Sequence, residues 1–129
     1  EAQMSLPYSV AVALVDGQAL FPQYNNARLK ETELVRLTQM VQIEPDASLP
    51  RGVSCKMTMV MKDGSTYTSQ VDYPKGSIQN PMSDEELRAK FDLLTQPVIG
   101  PSKAEQLADG LWSIESCKDL NTLMALSQP

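Results

Sequence analysis

The amino-acid sequence predicts an α+β fold: a small antiparallel sheet built on an Asp-Gly hairpin and packed by helices on one face, followed by a helical C-terminal tail. Three observations carry this expectation. Val53 to Met61 alternates apolar and polar residues at period two and runs into Lys62-Asp63-Gly64-Ser65. Ser83-Asp84-Glu85-Glu86 spells a capping box ahead of an amphipathic run. Ser5 to Val15 is apolar almost throughout, with a capping serine and an early proline at its start.

Taken in order, the first element is a helix from about Ser5, ending at Asp16-Gly17. Pro7 is tolerated in its first turn, where the missing N–H would have been unpaired anyway. Val10, Ala13 and Leu14 stand three and four apart, as one helical face requires. The four valines of this region also fit a buried strand. A helix apolar on every side must be buried on every side, so the sequence already implies neighbours that a chain of this size does not provide. An irregular stretch with Asn25-Asn26 follows. Glu31 to Val41 then reads as an amphipathic helix, with Leu34, Leu37 and Val41 inward and Glu31, Glu33, Arg36 and Gln39 outward, running to an extended piece at Gln42 to Glu44.

In the hairpin, Val53, Cys55, Met57, Met59 and Met61 share one face of the first strand. Asp63-Gly64 supplies the positive backbone dihedrals of a tight turn. The return strand, Thr66 to Tyr73, alternates Tyr67, Ser69, Val71 and Tyr73 against Thr66, Thr68, Gln70 and Asp72, so one face is expected to be covered. The prolines at 45, 50, 74, 81, 97 and 101 punctuate the chain, and helical periodicity takes over after Asn80. Ser83 and Glu86 satisfy each other's backbone donors, Met82 and Leu87 sit at the staple positions, and Leu87, Phe91 and Leu94 form the expected buried stripe. Ser102-Lys103-Ala104-Glu105 repeats the capping device ahead of Leu107, Ala108 and Leu111. A last short helix starts at Asp119 and uses Leu120, Leu123 and Met124.

Composition excludes several functions. Sixteen acidic against eleven basic residues give a net charge of −5, the wrong sign for a phosphate backbone, so no nucleic-acid partner is expected. There is no histidine, which removes a self-contained Ser-His-Asp site and a histidine-based zinc site. Cys55 and Cys117 lie far apart, make no disulfide framework and suit a reducing compartment. Val10 to Val15 is too short an apolar run to cross a bilayer, and the opening Glu-Ala-Gln does not read as a leader, so no membrane partner is expected.

No metal cluster, phosphate-binding glycine loop or paired-nucleophile motif is present. Asp84, Glu85 and Glu86 are explained by capping and the helix dipole. Cys55 falls on the apolar strand face and reads as inert core, while Lys56 and Lys62 read as solvated strand-edge charges. Lys75-Gly76 follows a strand directly, where sites often sit, although a tight turn with a solvated amine is the stronger reading. Tyr8 places a phenol on an otherwise apolar helix, where it must find a hydrogen-bond partner or stand at the edge of a ligand cavity.

Three segments together, in this order and spacing, resemble one family. They are Glu1-Ala-Gln-Met-Ser-Leu-Pro-Tyr-Ser-Val-Ala-Val-Ala-Leu14, then Asp63-Gly64 with Tyr73-Pro-Lys-Gly76, then Asn80-Pro-Met-Ser-Asp-Glu-Glu-Leu87 with Lys90-Phe91. They are similar to the carboxy-terminal third of the MmgE/PrpD family, which includes 2-methylcitrate dehydratase, cis-aconitate decarboxylase and iminodisuccinate epimerase. The resemblance implies a much longer polypeptide with a large helical domain, a smaller α+β lid and the active site between them. Residues 1–80 would be most of the lid, and 81–129 the helical segment returning to the absent helical domain. The family's catalytic histidines, lysines and aspartate would lie upstream, leaving this chain a piece that is inactive alone.

Of the family's active-site positions, the tyrosine of a Ser-x-x-Tyr segment maps onto Tyr8, with Ser5 before it; the family's usual phenylalanine is Met4 here, a volume-preserving change. The implied function is that of a cofactor-independent lyase, 2-methylcitrate dehydratase-like, acting on a di- or tricarboxylate. A cis-aconitate decarboxylase or an epimerase is the alternative within the family. The resemblance further implies a homodimer in the cytoplasm, or in the mitochondrion of a eukaryote. A reading from another class also stands: a self-sufficient α+β module that binds a protein partner through its first helix. Several hundred in-frame codons upstream of Glu1, containing histidines, would separate the first reading from the second.

Overall fold

The Ser5 hydroxyl accepts the N–H of Tyr8 at 3.3 Å, and Pro7 occupies the first turn of α1 (Leu6–Asp16). Gly17, at φ 73°, ends it in the left-handed conformation, which a side chain would resist. The strand alternative for this stretch is thereby set aside. The computed structural model describes residues 2–50 and 54–129; Glu1 and Val53 of the sequence motifs lie outside the described residues. Two compact units divide the chain, Glu1–Ala47 and Ser48–Pro129.

In the first unit, α1 packs against α2 (Thr32–Met40), with single 3₁₀ turns at Ala2–Met4, Phe21–Gln23 and Arg28–Lys30. Tyr8, Ala11 and Val12 of α1 and Leu34 of α2 are the buried core, with Ala2, Ala19, Tyr24, Leu29 and Leu37 packed on it. This corrects the expected phase of α1. Ala13 and Leu14 are exposed and Val10 only half-buried, because an all-apolar helix carries no polar residues to mark its outer side. Leu6, Leu14 and Val15 are each about half exposed within this chain, so the helix is covered along one face only. On α2 the stripe runs as expected, while Gln42 to Glu44 takes no regular structure.

The second unit opens with β1 (Cys55–Val60) and β2 (Thr66–Val71), paired antiparallel in the register Cys55↔Val71 to Val60↔Thr66. Cys55, Met57 and Met59 oppose Val71, Ser69 and Tyr67 on one face; Thr58 and Thr68 share a 3.1 Å hydroxyl hydrogen bond on the other. The turn differs from the expected one. Among the described residues only glycines have positive φ, so Asp63 does not share the left-handed conformation of Gly64 at φ 84°. Gly64 N–H donates to Met61 and Met61 N–H to Ser65, a three-residue loop with glycine at its left-handed position. Asp63 stabilises it by accepting from the Ser65 backbone and hydroxyl, which holds its carboxyl below the usual range.

The apolar face of the hairpin is left open in this chain. Cys55 is exposed, as are Met57, Tyr67 and Val71, with Met59 half-buried; the expectation of Cys55 as core is corrected. Alternation identified the face correctly but cannot say which segment covers it.

Three helices complete the unit: α3 (Asp84–Ile99), α4 (Pro101–Trp112) and α5 (Leu120–Leu126). The Ser83–Glu86 capping box forms, with Ser83 Oγ taking the Glu86 N–H at 3.2 Å and Glu86 Oε2 the Ser83 N–H at 2.8 Å. Ser83→Ala is expected to lower stability by about 1 kcal/mol, measured by urea denaturation, with Ser83→Asp retaining most of it. The Leu87, Phe91 and Leu94 stripe is not buried here: no residue of α3 is buried, and Leu87 and Leu94 stand open. Pro97 does not punctuate but lies inside α3, in its last turn. The second capping box does not form, since Gly100, at φ 78°, is the N-cap and Pro101 takes the first position, leaving Ser102 already inside the helix.

Among the described residues, Ala104, Leu107 and Ala108 of α4 and Leu123 of α5 are the buried residues of this unit. The helices meet at Gly110, where an added Cβ would stand 2.3 Å from Leu123 Cδ1. An exposed helical glycine gains about 1 kcal/mol on replacement by alanine. Here the overlap with a buried leucine costs about 1–3 kcal/mol and wins. Gly110→Ala is therefore expected to lower the melting temperature, and a rise would contradict this packing.

Candidate functional site

Tyr8 is the residue the sequence singled out, and the first unit builds a polar cluster around it. Its phenol is 6% exposed and donates to the backbone carbonyl of Gln23 at 2.8 Å. Burial pushes its pKa up, the Arg28 guanidinium opposing, so the group is protonated at neutral pH and acts as a donor. The structure thus gives the phenol an internal partner. It pins the segment after α1 back onto that helix.

The partner is itself well held. Gln23 is buried at the end of its 3₁₀ turn, and its Oε1 accepts the Leu20 N–H at 3.0 Å. Tyr24, the next residue, stacks its ring on Tyr8 with centroids 5.6 Å apart and planes tilted by 55°. Tyr24 Oη lies 2.9 Å from Ser9 Oγ, and Ser9 Oγ lies 3.0 Å from the carbonyl of Ser5. Beyond it, Asn25 Oδ1 accepts the N–H groups of Ala27 and Arg28, opening the turn that carries Arg28. Arg28 pairs with Asp16 at the end of α1 and with Glu31 at the start of α2. Asp16 sits where the helix dipole disfavours an anion, and the guanidinium offsets that. Hydrogen bonds to Glu31 and Asp16 raise the Arg28 pKa.

Ser9, Gln23, Tyr24 and Arg28 were not singled out by sequence reasoning. Ser5 and Ser9 are spaced one turn apart, a legible signal; Gln23 and Tyr24 reach Tyr8 only through the fold of an irregular segment, which periodicity does not describe.

In the second unit, the Lys75 side chain is not simply solvated. Nζ lies 2.8 Å from Glu86 Oε2, joining the post-strand loop to the capping box of α3. Gly76, at φ 91°, donates to Asn80 at 2.8 Å and closes that loop. The Lys75 ammonium, with the Ser83 N–H, holds the Glu86 carboxyl below the usual carboxylate range. The stabilisation from a depressed carboxyl is present above its unfolded pKa and lost as pH falls through the folded one. Lys75→Met is therefore expected to move the Glu86 titration, followed by carboxyl NMR, upward toward the ordinary value; an unmoved midpoint would remove the pair.

This unit has shallow, open depressions. One, of about 450 Å³, is lined by Asp84, Glu85, Arg88, Ala89, Asp92 and Trp112. Another, of about 320 Å³, lies over Gly110, Leu123 and Leu126 beside Cys117. Arg88 is committed to Asp92 and Asp109. Among the described residues no group of three or more Cys, Asp and Glu side chains is placed to hold a metal ion, and no helix is long and apolar enough to cross a membrane.

Comparison with known proteins extends this picture. Human cis-aconitate decarboxylase is 27% identical over 135 residues, covering 100% of this chain and 28% of the human protein. The mouse cis-aconitate decarboxylase is 26% identical and covers 98% of the chain, and that of Aspergillus terreus is 27% identical over 96% of it. This chain spans 26% of the length of each of those two. The MmgE/PrpD C-terminal domain matches residues 1–115, so the chain belongs to the MmgE/PrpD family, as its C-terminal domain.

Proposed function

We propose that this chain is the lid-bearing part of a cofactor-independent lyase acting on a tricarboxylic acid, and that the reaction is the decarboxylation of cis-aconitate. The observation that carries the reading is the near-complete cover of the chain by cis-aconitate decarboxylases of mammalian and fungal origin, together with the family match. Within the family this favours decarboxylation over the dehydration of 2-methylcitrate. The chain has no histidine, so the proton-transfer groups are supplied by the remainder of the same polypeptide.

In such a reaction a C–CO2 bond breaks, CO2 leaves, and the electron pair stays on the substrate, conjugated through the double bond to a remaining carboxylate. A proton then adds at carbon, giving an unsaturated five-carbon diacid. Atoms and electrons balance without an oxidant. What the protein must provide is a proton donor and fixed partners for the charged carboxylates.

Tyr8 is the proposed site residue of this chain. Its proton rests on the Gln23 carbonyl, and a substrate carboxylate must compete for it. Hydrogen bonds to an ionised acceptor are about twice as strong as those between neutral groups, which is what lets a carboxylate within reach compete with the carbonyl for the phenol. Residues 1–80 form most of the lid in this reading, and 81–129 lead back to the helical domain. The open faces of α1, of the hairpin and of α3 are then covered by the rest of the polypeptide, and the whole enzyme is a homodimer of the cytoplasm or mitochondrion.

The test is to supply the full-length protein carrying this chain with cis-aconitate and with 2-methylcitrate and to follow the ultraviolet absorbance of the unsaturated acids. Consumption of cis-aconitate is expected. Turnover of 2-methylcitrate alone would move the reaction to dehydration, and inertness toward both would remove the lyase reading.

A further inference from the structure

We propose that Tyr24, held by Ser9, is a second carboxylate-binding phenol of the site, a role that rests on the reading that the Tyr8 cluster faces the substrate. Two hydroxyls, Tyr24 Oη and Ser9 Oγ, stand 2.9 Å apart, and Ser9 Oγ is also 3.0 Å from the Ser5 carbonyl. Ser9 has one proton to give. If it goes to Ser5, Tyr24 donates to Ser9; if it goes to Tyr24, the phenolic proton of Tyr24 is released to point elsewhere.

The exchange strands nothing. The Ser5 carbonyl already accepts the Ser9 N–H at 3.0 Å, as α-helical geometry requires, so it stays paired when the Ser9 hydroxyl turns away. Tyr8 differs, because its release uncovers a buried carbonyl at Gln23. Tyr24 is also the more open of the two rings: it packs on the edge of the core rather than within it, and among the described residues its hydroxyl has Ser9 as its partner. The ring of Tyr8 beneath fixes its place. Tyr24 is therefore the phenol that can hand its proton to an anionic ligand with the least rearrangement, and Ser9 is the positioning residue that takes up the slack.

The experiment uses the full-length protein and reads both turnover of cis-aconitate and calorimetric binding of tricarballylate, a saturated tricarboxylate. Tyr24→Phe is expected to raise KM and weaken tricarballylate binding by about tenfold, the worth of one hydrogen bond to a charged group. Ser9→Ala is expected to raise KM less, by about threefold, with kcat unchanged, and Ser9→Thr to restore it. A merely structural role would lower the melting temperature without separating KM from kcat and would not respond to threonine. An active wild type with Tyr24→Phe unchanged in KM and binding overturns the proposal while leaving the lyase reading intact. A wild type that neither binds nor turns over a tricarboxylate overturns both.

Discussion

Tyr8→Phe in the full-length protein is expected to lower turnover of cis-aconitate at least about tenfold, the worth of one hydrogen bond to a charged group. Two effects are combined in this substitution and have to be separated. The first is structural: the Gln23 carbonyl loses its phenolic donor in a buried place, at a cost of about 1–3 kcal/mol. The second is chemical: the substrate carboxylate loses a partner. The first lowers the melting temperature and leaves kcat alone well below it. The second lowers kcat at a temperature where the variant is fully folded. Steady-state kinetics on a Tyr8→Phe protein shown by circular dichroism to be folded decide between them, and an unchanged kcat removes Tyr8 from the site.

Leu34→Ala is expected to destabilise the first unit by about 3 kcal/mol, within the range for a leucine truncated in a packed core. Leu34 is 1% exposed and is, with Val12, one of the two largest fully buried side chains among the described residues. It closes the core from the α2 side against Tyr8, Ala11 and Val12, so its truncation leaves a cavity among them. Natural domains are stable by about 5–15 kcal/mol, so the loss is a large share of the total. Chemical denaturation measures it, and a loss below about 1 kcal/mol would mean that the α1–α2 contact is not the core of this unit. Leu34→Ala also serves as the control for Tyr8→Phe, since it weakens the same core and leaves the phenolic hydroxyl in the protein.

The sequence made the local devices legible and left their surroundings illegible, for separable reasons. Ser5, Pro7 and Gly17 bound α1 because capping is written in neighbouring residues. Ser83 and Glu86 do the same for α3. The strand partners follow from alternation and the glycine of the loop. Which face of α1 is buried was not legible, because Val10, Ala11, Val12, Ala13 and Leu14 offer no polar contrast to set the phase. Ser102 looked like a cap until Gly100 and Pro101 took the positions ahead of it. The exposure of Cys55, Leu87 and Leu94 has a different origin: burial is a property of the partner surface, and the chain spans only 26–28% of the length of the relatives named above.

The candidate site divides in the same way. Tyr8 was visible as a phenol on an apolar helix and through the Ser-x-x-Tyr resemblance. Gln23, which accepts its proton, and Tyr24, which packs on its ring, come from a segment without periodicity and reach α1 only when the chain folds back. The charge balance, which disfavours a phosphate backbone, and the missing histidine, which removes a Ser-His-Asp site and a histidine-based zinc site, needed no structure to read.

The most direct test of the account compares two proteins in one assay, the purified 129-residue chain and the full-length protein that carries it, by CO2 release from cis-aconitate. Steady release by the full-length protein and none by the chain alone is the expected result, since the chain lacks an imidazole to move a proton at neutral pH. Release by the isolated chain would contradict it.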